Sequence, residues 1–227
     1  MQTQKRDVSR TDWVVALERE VAVLEEVLDA STSARRLFEG RIDSEGYARF
    51  LAQTYHYVRW TTPLLEIAGT RMRQSGLHPA LAELLVSKSA EERGHERWLL
   101  ADLRNLGWPV ERVEATPLCG AVKAYVAWNQ FTTQEGVPTA FLGTAYVLES
   151  LAVRRAGSTV DRLISAERIP NIHEAVTFLR GHGDVDGDHV GALAEVLRSL
   201  DDPEEQEVLI HSARTTRLLY PGLFLER

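Results

Sequence analysis

The sequence predicts an all-α fold, a single domain of about seven to nine helices over residues 1–227. Three observations carry this. Apolar residues recur at spacings of three and four along nearly the whole chain, strand-like alternating runs bounded by turns are scarce, and no repeat, low-complexity tract or flexible linker divides it. With 44% hydrophobic residues the chain can bury a substantial core.

Trp13, Leu17, Val21, Leu24 and Leu28 form one stripe and predict an amphipathic helix from Thr11 to Asp29, its other face acidic and solvated. The run Ser31-Thr32-Ser33 breaks it, and a short turn ends at Gly40. Asp43 or Ser44 then caps a long helix that runs to Arg73 and kinks at Pro63. The next helix starts at His78-Pro79 and stops at Gly107, two residues before Pro109. The segment "PLCGAVKAYVAWNQFTTQ" is helical up to a break at Gly136-Val137-Pro138. Its antiparallel neighbour, "TAFLGTAYVLESLAVRRA", ends at Gly157. Further helical segments cover about 158–167, 171–200 and 203–219, the last opened by Asp202-Pro203.

Composition narrows the partners. Asp and Glu outnumber Lys and Arg by 33 to 26, a formal charge of -7 without any basic arm, which argues against nucleic acid. No 18-residue apolar run offers a membrane span, and the N-terminus reaches acidic helical sequence too early for a signal peptide. The expectation is a cytoplasmic protein with a small-molecule substrate. Cys119, the one cysteine, can form no internal disulfide and is expected to be buried and inert.

Chemistry concentrates in "RGHGDVDGDHVGAL", residues 180–193. Asp184, Asp186 and Asp188 match calcium-loop positions 1, 3 and 5, with Glu195 at 12, but position 6 is His189 where the sharp turn needs glycine. Read as helix, the stretch sets Asp186 about 40° and His189 about 20° from His182, so that the three share a face while Asp184 and Asp188 turn away. Two imidazoles and a carboxylate suit iron, manganese or zinc better than magnesium or calcium. Two facing walls are available. In "SAEERGHERW", Glu92 and His95 have the Glu-x-x-His spacing of di-iron carboxylate bundles, with Glu91 a rival for the acid. In "TAYVLESLAV", Glu149 sits in the middle of an apolar run, where a carboxylate has to be protonated, metal-bound or paired, Arg154 and Arg155 being the nearest cations. Each motif alone has a plainer explanation, whether an exposed acidic helix or a salt bridge; together they bring three histidines and three carboxylates to three helices.

At these residues the sequence resembles the heme-oxygenase-like di-iron oxidases and oxygenases, often described as iron-containing redox enzymes, which share a helical superfold with heme oxygenase and the TenA proteins. The resemblance extends across most of the chain and rests on "EERGHERWLLADLRNLG", "FLGTAYVLES" and "HGDVDGDHVGAL", in that order. It implies Glu92, His95, Glu149, His182, Asp186 and His189 as ligands of one or two iron ions, with O2 as co-substrate. It also implies a small organic substrate such as an amino acid or fatty acid, and it is compatible with a homodimer and an external electron donor. Many members carry a further metal-binding glutamate seven residues before the first histidine, and Lys88 stands there, which leaves the second iron open. His56, Tyr57, Trp60, Lys88, Glu91 and Tyr146 are expected beside the ligands or the substrate, although His56, Tyr57 and Trp60 serve equally well as core residues. Glycines 183, 187 and 191 each cost about 1 kcal/mol of helix stability relative to alanine, which fits a ligand helix loosely ordered without metal. Heme is disfavoured, because heme oxygenase takes its proximal histidine from the first helix and no histidine here precedes His56. The alternative is a metal-free ligand-binding or TenA-like protein that keeps the fold, for which Cys119 is the only thiol.

Overall fold

Helix α1 (Trp13–Ala30) buries Leu17, Val21, Leu24 and Leu28, the stripe that its spacing predicts. Each such leucine contributes about 1.5–3 kcal/mol on burial. The polar pairs beside them, Arg154 to Glu18 at 2.6 Å and Arg155 to Asp29 at 2.9 Å, are solvated and contribute far less, so the apolar stripe holds α1 and the pairs fix its register on the helix that carries the two arginines. The structure is a computed structural model that describes residues 13–183 and 187–224, with the backbone alone at 187–189 and 192. Among the described residues all regular structure is helical.

The sequence divides more finely than its periodicity suggests. A capped helix, α2 (Thr32–Phe38), fills the stretch expected as a turn, with the Ser31 hydroxyl accepting the Ala34 N–H at 3.3 Å. The long helix expected from Asp43 to Arg73 is two helices, α3 (Ser44–Val58) and α4 (Thr61–Ser75). Pro63 lies in the first turn of α4, where its missing N–H leaves no bond unmade; the chain restarts a helix there instead of kinking one. The next expected helix also divides, into α5 (Pro79–Glu91) and α6 (His95–Asn105), around Gly94 at φ +100°. A short α7 (Val110–Glu114) precedes α8 (Gly120–Gln134).

Gly157 does not end α9 (Phe141–Ala166), which runs on to a left-handed Glu167. The segment expected at 171–200 contains α10 (Thr177–Gly183) and α11 (Gly187–Arg198), and α12 (Pro203–Leu219) starts on an Asp202 cap as expected. Helix α9 is central and touches α1, α10, α11 and α12. Its Thr144 hydroxyl lies within hydrogen-bonding distance of Asn129 on α8 (3.0 Å) and of Ser212 and Thr216 on α12 (3.1 and 2.9 Å), so a buried polar knot ties three helices in one register.

Candidate metal centre

The break between α5 and α6 makes the first wall. Gly94 in its left-handed conformation folds the chain back so that the His95 N–H bonds the Glu92 carbonyl at 3.2 Å. Glu92 and His95 are therefore neighbours across a tight turn, and not along one helical face as their spacing alone suggests. A Glu92 carboxylate oxygen lies 2.9 Å from His95 Nδ1, yet this buried nitrogen makes no hydrogen bond.

Helix α10 makes the second wall. His182 lies in its last turn, and its Nδ1 sits 2.9 Å from the Phe178 carbonyl. A proton on Nδ1 donated to that carbonyl leaves the Nε2 lone pair bare, the arrangement that metal-binding histidines adopt. Burial holds the ring below the usual histidine range, which keeps it neutral and able to ligate. Gly181 and Gly183 let α10 come close: a Cβ at 181 would stand 2.8 Å from the Trp98 ring, and one at 183 would stand 2.8 Å from the Gly157 nitrogen on α9. Gly183, expected as a source of looseness, is thus required by packing.

Glu92, His95 and His182 each offer one ligand atom within 4.8 Å of the others, and all three are partly buried. The Trp98 ring stacks on His95 with centroids 4.1 Å apart, His182 meets His95 edge-on at 5.2 Å, and Phe178 covers His182 at 4.2 Å. Burial pushes the Glu92 carboxyl upward, but the two imidazoles and Lys88 outweigh it and hold the group below the usual carboxylate range. Glu149, on α9, faces the same group. Its carboxyl is pushed up to about 7, first by burial and then by the Glu92 charge, with Lys88 opposing. Neither expected arginine pairs with it, since Arg154 holds Glu18 and Glu25 while Arg155 holds Glu25 and Asp29.

Lys88, Glu92, His95, Glu149 and His182 line a cavity of about 340 Å3 with largely apolar walls that include Leu84, Phe141, Leu148 and Val196. The remaining expected residues are scattered. Glu91 is exposed and bonded to Lys88 at 2.8 Å. Tyr57 lines the cavity. His56 is buried with Nε2 3.1 Å from the Val113 carbonyl, and so is satisfied as a core histidine outside the cavity wall. Trp60 precedes α4 and packs against the core without lining the cavity, and the Tyr146 hydroxyl turns to Glu18 on α1. Asp186 lies outside the described residues; His189 is described by its backbone in α11 alone. Cys119 caps α8 with its sulfur 3.5 Å from the Val122 N–H, away from the cavity wall, which leaves a thiol-dependent TenA-like reaction without its nucleophile there.

Periodicity did not point to Asp102. This fully buried carboxylate on α6 accepts the backbone N–H groups of Thr177 and Phe178 at 3.0 and 2.9 Å and so caps the helix that carries His182. An acid between Leu99 and Leu103, seven residues after His95, is the same signal that singled out Glu149.

Three histidine and glutamate donors, one orphaned imidazole nitrogen and a neutral His182 fit a borderline metal such as iron. A crystal structure of a domain of unknown function with a heme oxygenase-like fold from Shewanella denitrificans OS217 superposes with a TM-score of 0.81 at 20% identity, covering 93% of this chain and 90% of that one. A TenA homolog from Pseudomonas syringae pv. tomato str. DC3000 gives 0.77 at 15% identity, covering 95% and 91%. These likenesses show the fold. Comparison with curated protein sequences gives no match. The sequence profile of the iron-containing redox enzymes matches residues 48–220, a span that takes in both walls of the cluster and Glu149. The chain belongs to the iron-containing redox enzyme family and has a heme-oxygenase-like fold.

Proposed function

We propose that the protein is a non-heme iron oxidase or oxygenase that uses O2 on a small organic substrate. The observation that carries this reading is the convergence of Glu92, His95 and His182 in a largely apolar cavity. Glu149 would complete the set from α9, and the resemblance adds Asp186 and His189. Bound iron would supply one-electron redox chemistry and a coordination position for O2.

The protein's own contribution is to position and to exclude. The Phe178 carbonyl orients His182, Trp98 clamps the His95 ring, and Asp102 pins the start of α10 to α6. Lys88 offsets part of the carboxylate charge from the cavity wall. The largely apolar walls suit an organic molecule.

Anaerobic titration with ferrous iron, metal analysis and then exposure to O2 test the reading. The expected result is stoichiometric iron, a transient near-visible absorption band after O2, and loss of both in His95→Ala and His182→Ala. Iron uptake no greater in the wild type than in these variants would sink it. Substrate screens against amino acids and fatty acids with O2 consumption as the readout address the reaction itself.

A further inference from the structure

The cavity has a second polar set. Tyr57 on α3, Tyr125 on α8 and Tyr220 just after α12 all line it, and no hydrogen bond or ring contact among the described residues joins them to Glu92, His95, Glu149 or His182. Three elements far apart in sequence thus bring three phenols together. The Tyr57 and Tyr125 rings meet edge-on at 5.1 Å, and the Tyr57 and Tyr220 hydroxyls interact with each other. Tyr125 and Tyr220 are buried, at 6% and 9% exposure, in a cavity whose walls are otherwise mostly aliphatic and aromatic. A phenol at such a place is a costly way to fill space, because each hydroxyl both donates and accepts and loses water on burial. Among the described residues no group hydrogen-bonds the Tyr125 hydroxyl, and its residue lines the cavity.

The charges around this set are as informative as the hydroxyls. The groups that act most on the three phenols are one another and Thr54. Arg155, which also lines the cavity, is held by Glu25 and Asp29. Burial raises all three phenols, Tyr220 to about 12, so they stay protonated. An ammonium or carboxylate brought here would lose its hydration without a counter-ion, whereas a neutral oxygen would both give and receive hydrogen bonds.

We propose that Tyr57, Tyr125 and Tyr220 form a recognition subsite for the neutral oxygen of a mainly apolar substrate, that is, an alcohol, phenol or carbonyl group. This rests on the cavity being the substrate site of the proposed iron enzyme. The apolar body of such a molecule lies along the aliphatic wall, and the phenols select its polar group. They thereby discriminate against a carboxylate of the same length.

Calorimetric titration of the full chain with 1-octanol, octanoate and 1-chlorooctane tests this. The wild type is expected to bind 1-octanol most tightly, and Tyr57→Phe, Tyr125→Phe and Tyr220→Phe each to weaken that binding by about tenfold while leaving 1-chlorooctane unchanged. Octanoate binding as tightly as 1-octanol, equal losses for 1-octanol and 1-chlorooctane, or no binding of 1-octanol overturns the subsite. Thermal melts identify any variant that fails to fold, and the other two then carry the comparison. Iron uptake, measured on the same proteins, separates the two readings. Normal iron with no alcohol selectivity removes the subsite alone; alcohol selectivity without iron uptake removes the redox reading and leaves the subsite as a ligand site.

Discussion

Asp102 on α6 caps α10: its carboxylate accepts the Phe178 N–H at 2.9 Å, one turn before His182. His95 opens α6, so the two imidazoles that face each other belong to helices joined by this buried bond. Asp102→Ala leaves two helix-terminal N–H groups unmet in the interior. It is expected to lower stability by about 2–3 kcal/mol in denaturant titration and to weaken iron binding at least tenfold. Asp102→Asn, which keeps one acceptor, should fall between. Iron affinity unchanged in Asp102→Ala would show that His182 is positioned by something else.

The same residue sets a pH dependence. Burial raises the Asp102 carboxyl above its ordinary value of 3.8 although two N–H groups oppose the shift. The folded chain then holds this proton more tightly than the unfolded one. Asp102's contribution to stability is greatest below the unfolded value and falls as pH rises through the raised one. Asp102→Asn removes that slope. Measured upward from pH 4 on metal-free protein, the wild type should lose stability relative to Asp102→Asn through this one titration, the two curves otherwise differing only by the constant cost of the lost acceptor. Identical slopes would exclude Asp102 as its source.

What the sequence shows and what it hides follow from the range of the interactions. The α1 stripe and the Asp202 cap are local signals, read correctly from spacing and residue type; Glu92, His95 and His182, singled out by residue type, bring ligand atoms within 4.8 Å of one another through a turn that spacing does not show. The turn at Gly94 is not local in that sense. A glycine inside a helical pattern is tolerated at a cost of about 1 kcal/mol, and only the packing of α6 against α3 and α10 decides that the helix breaks there. Gly183 and Gly157 reverse their expected roles for the same reason, since what lies opposite a glycine on another helix cannot be seen from its own. Tyr125 and Tyr220 share no spacing with Tyr57 and come together only through the fold.

The two glycines give a paired test. At Gly157 a Cβ would meet nothing within 4 Å in mid-α9, so Gly157→Ala should stabilise the protein by about 0.5–1 kcal/mol. At Gly183 a Cβ would meet the Gly157 backbone nitrogen at 2.8 Å and Ala156 Cβ at 3.1 Å. Gly183→Ala should therefore destabilise, by about 1–3 kcal/mol, and push His182 away from His95. Melting temperatures that shift the same way in both variants would contradict the close approach of α10 to α9.

Gly94 separates backbone conformation from packing. A side chain there would have open space, its nearest neighbour being Arg97 Cδ at 3.9 Å, so only the φ of +100° opposes it. Gly94→Ala is expected to cost about 1–3 kcal/mol, or to let α5 and α6 fuse into one helix. Fusion would carry Glu92 and His95 apart from their present turn geometry. Iron affinity should drop further than stability alone explains, and helical circular dichroism should rise or stay level. Unaltered iron binding with unaltered stability would mean that the turn does not set the pair.

Lys88 bears on how much positive charge the cavity can accept. Its ammonium bonds Glu91 at 2.8 Å and offsets the carboxylate charge at both Glu92 and Glu149, so a cation already stands beside these acids. Two divalent ions beside a fixed ammonium would need more carboxylate than Glu92 and Glu149 provide, unless Asp186 contributes. The wild type is therefore expected to hold about one iron per chain at modest excess of metal. Lys88→Glu replaces a positive charge with a carboxylate that can ligate, and should raise the iron content toward two. Lys88→Met removes the charge without adding a ligand and should stay near one. Metal analysis after desalting decides between them: two irons in the wild type, or no gain in Lys88→Glu, would show that Lys88 does not limit the second site.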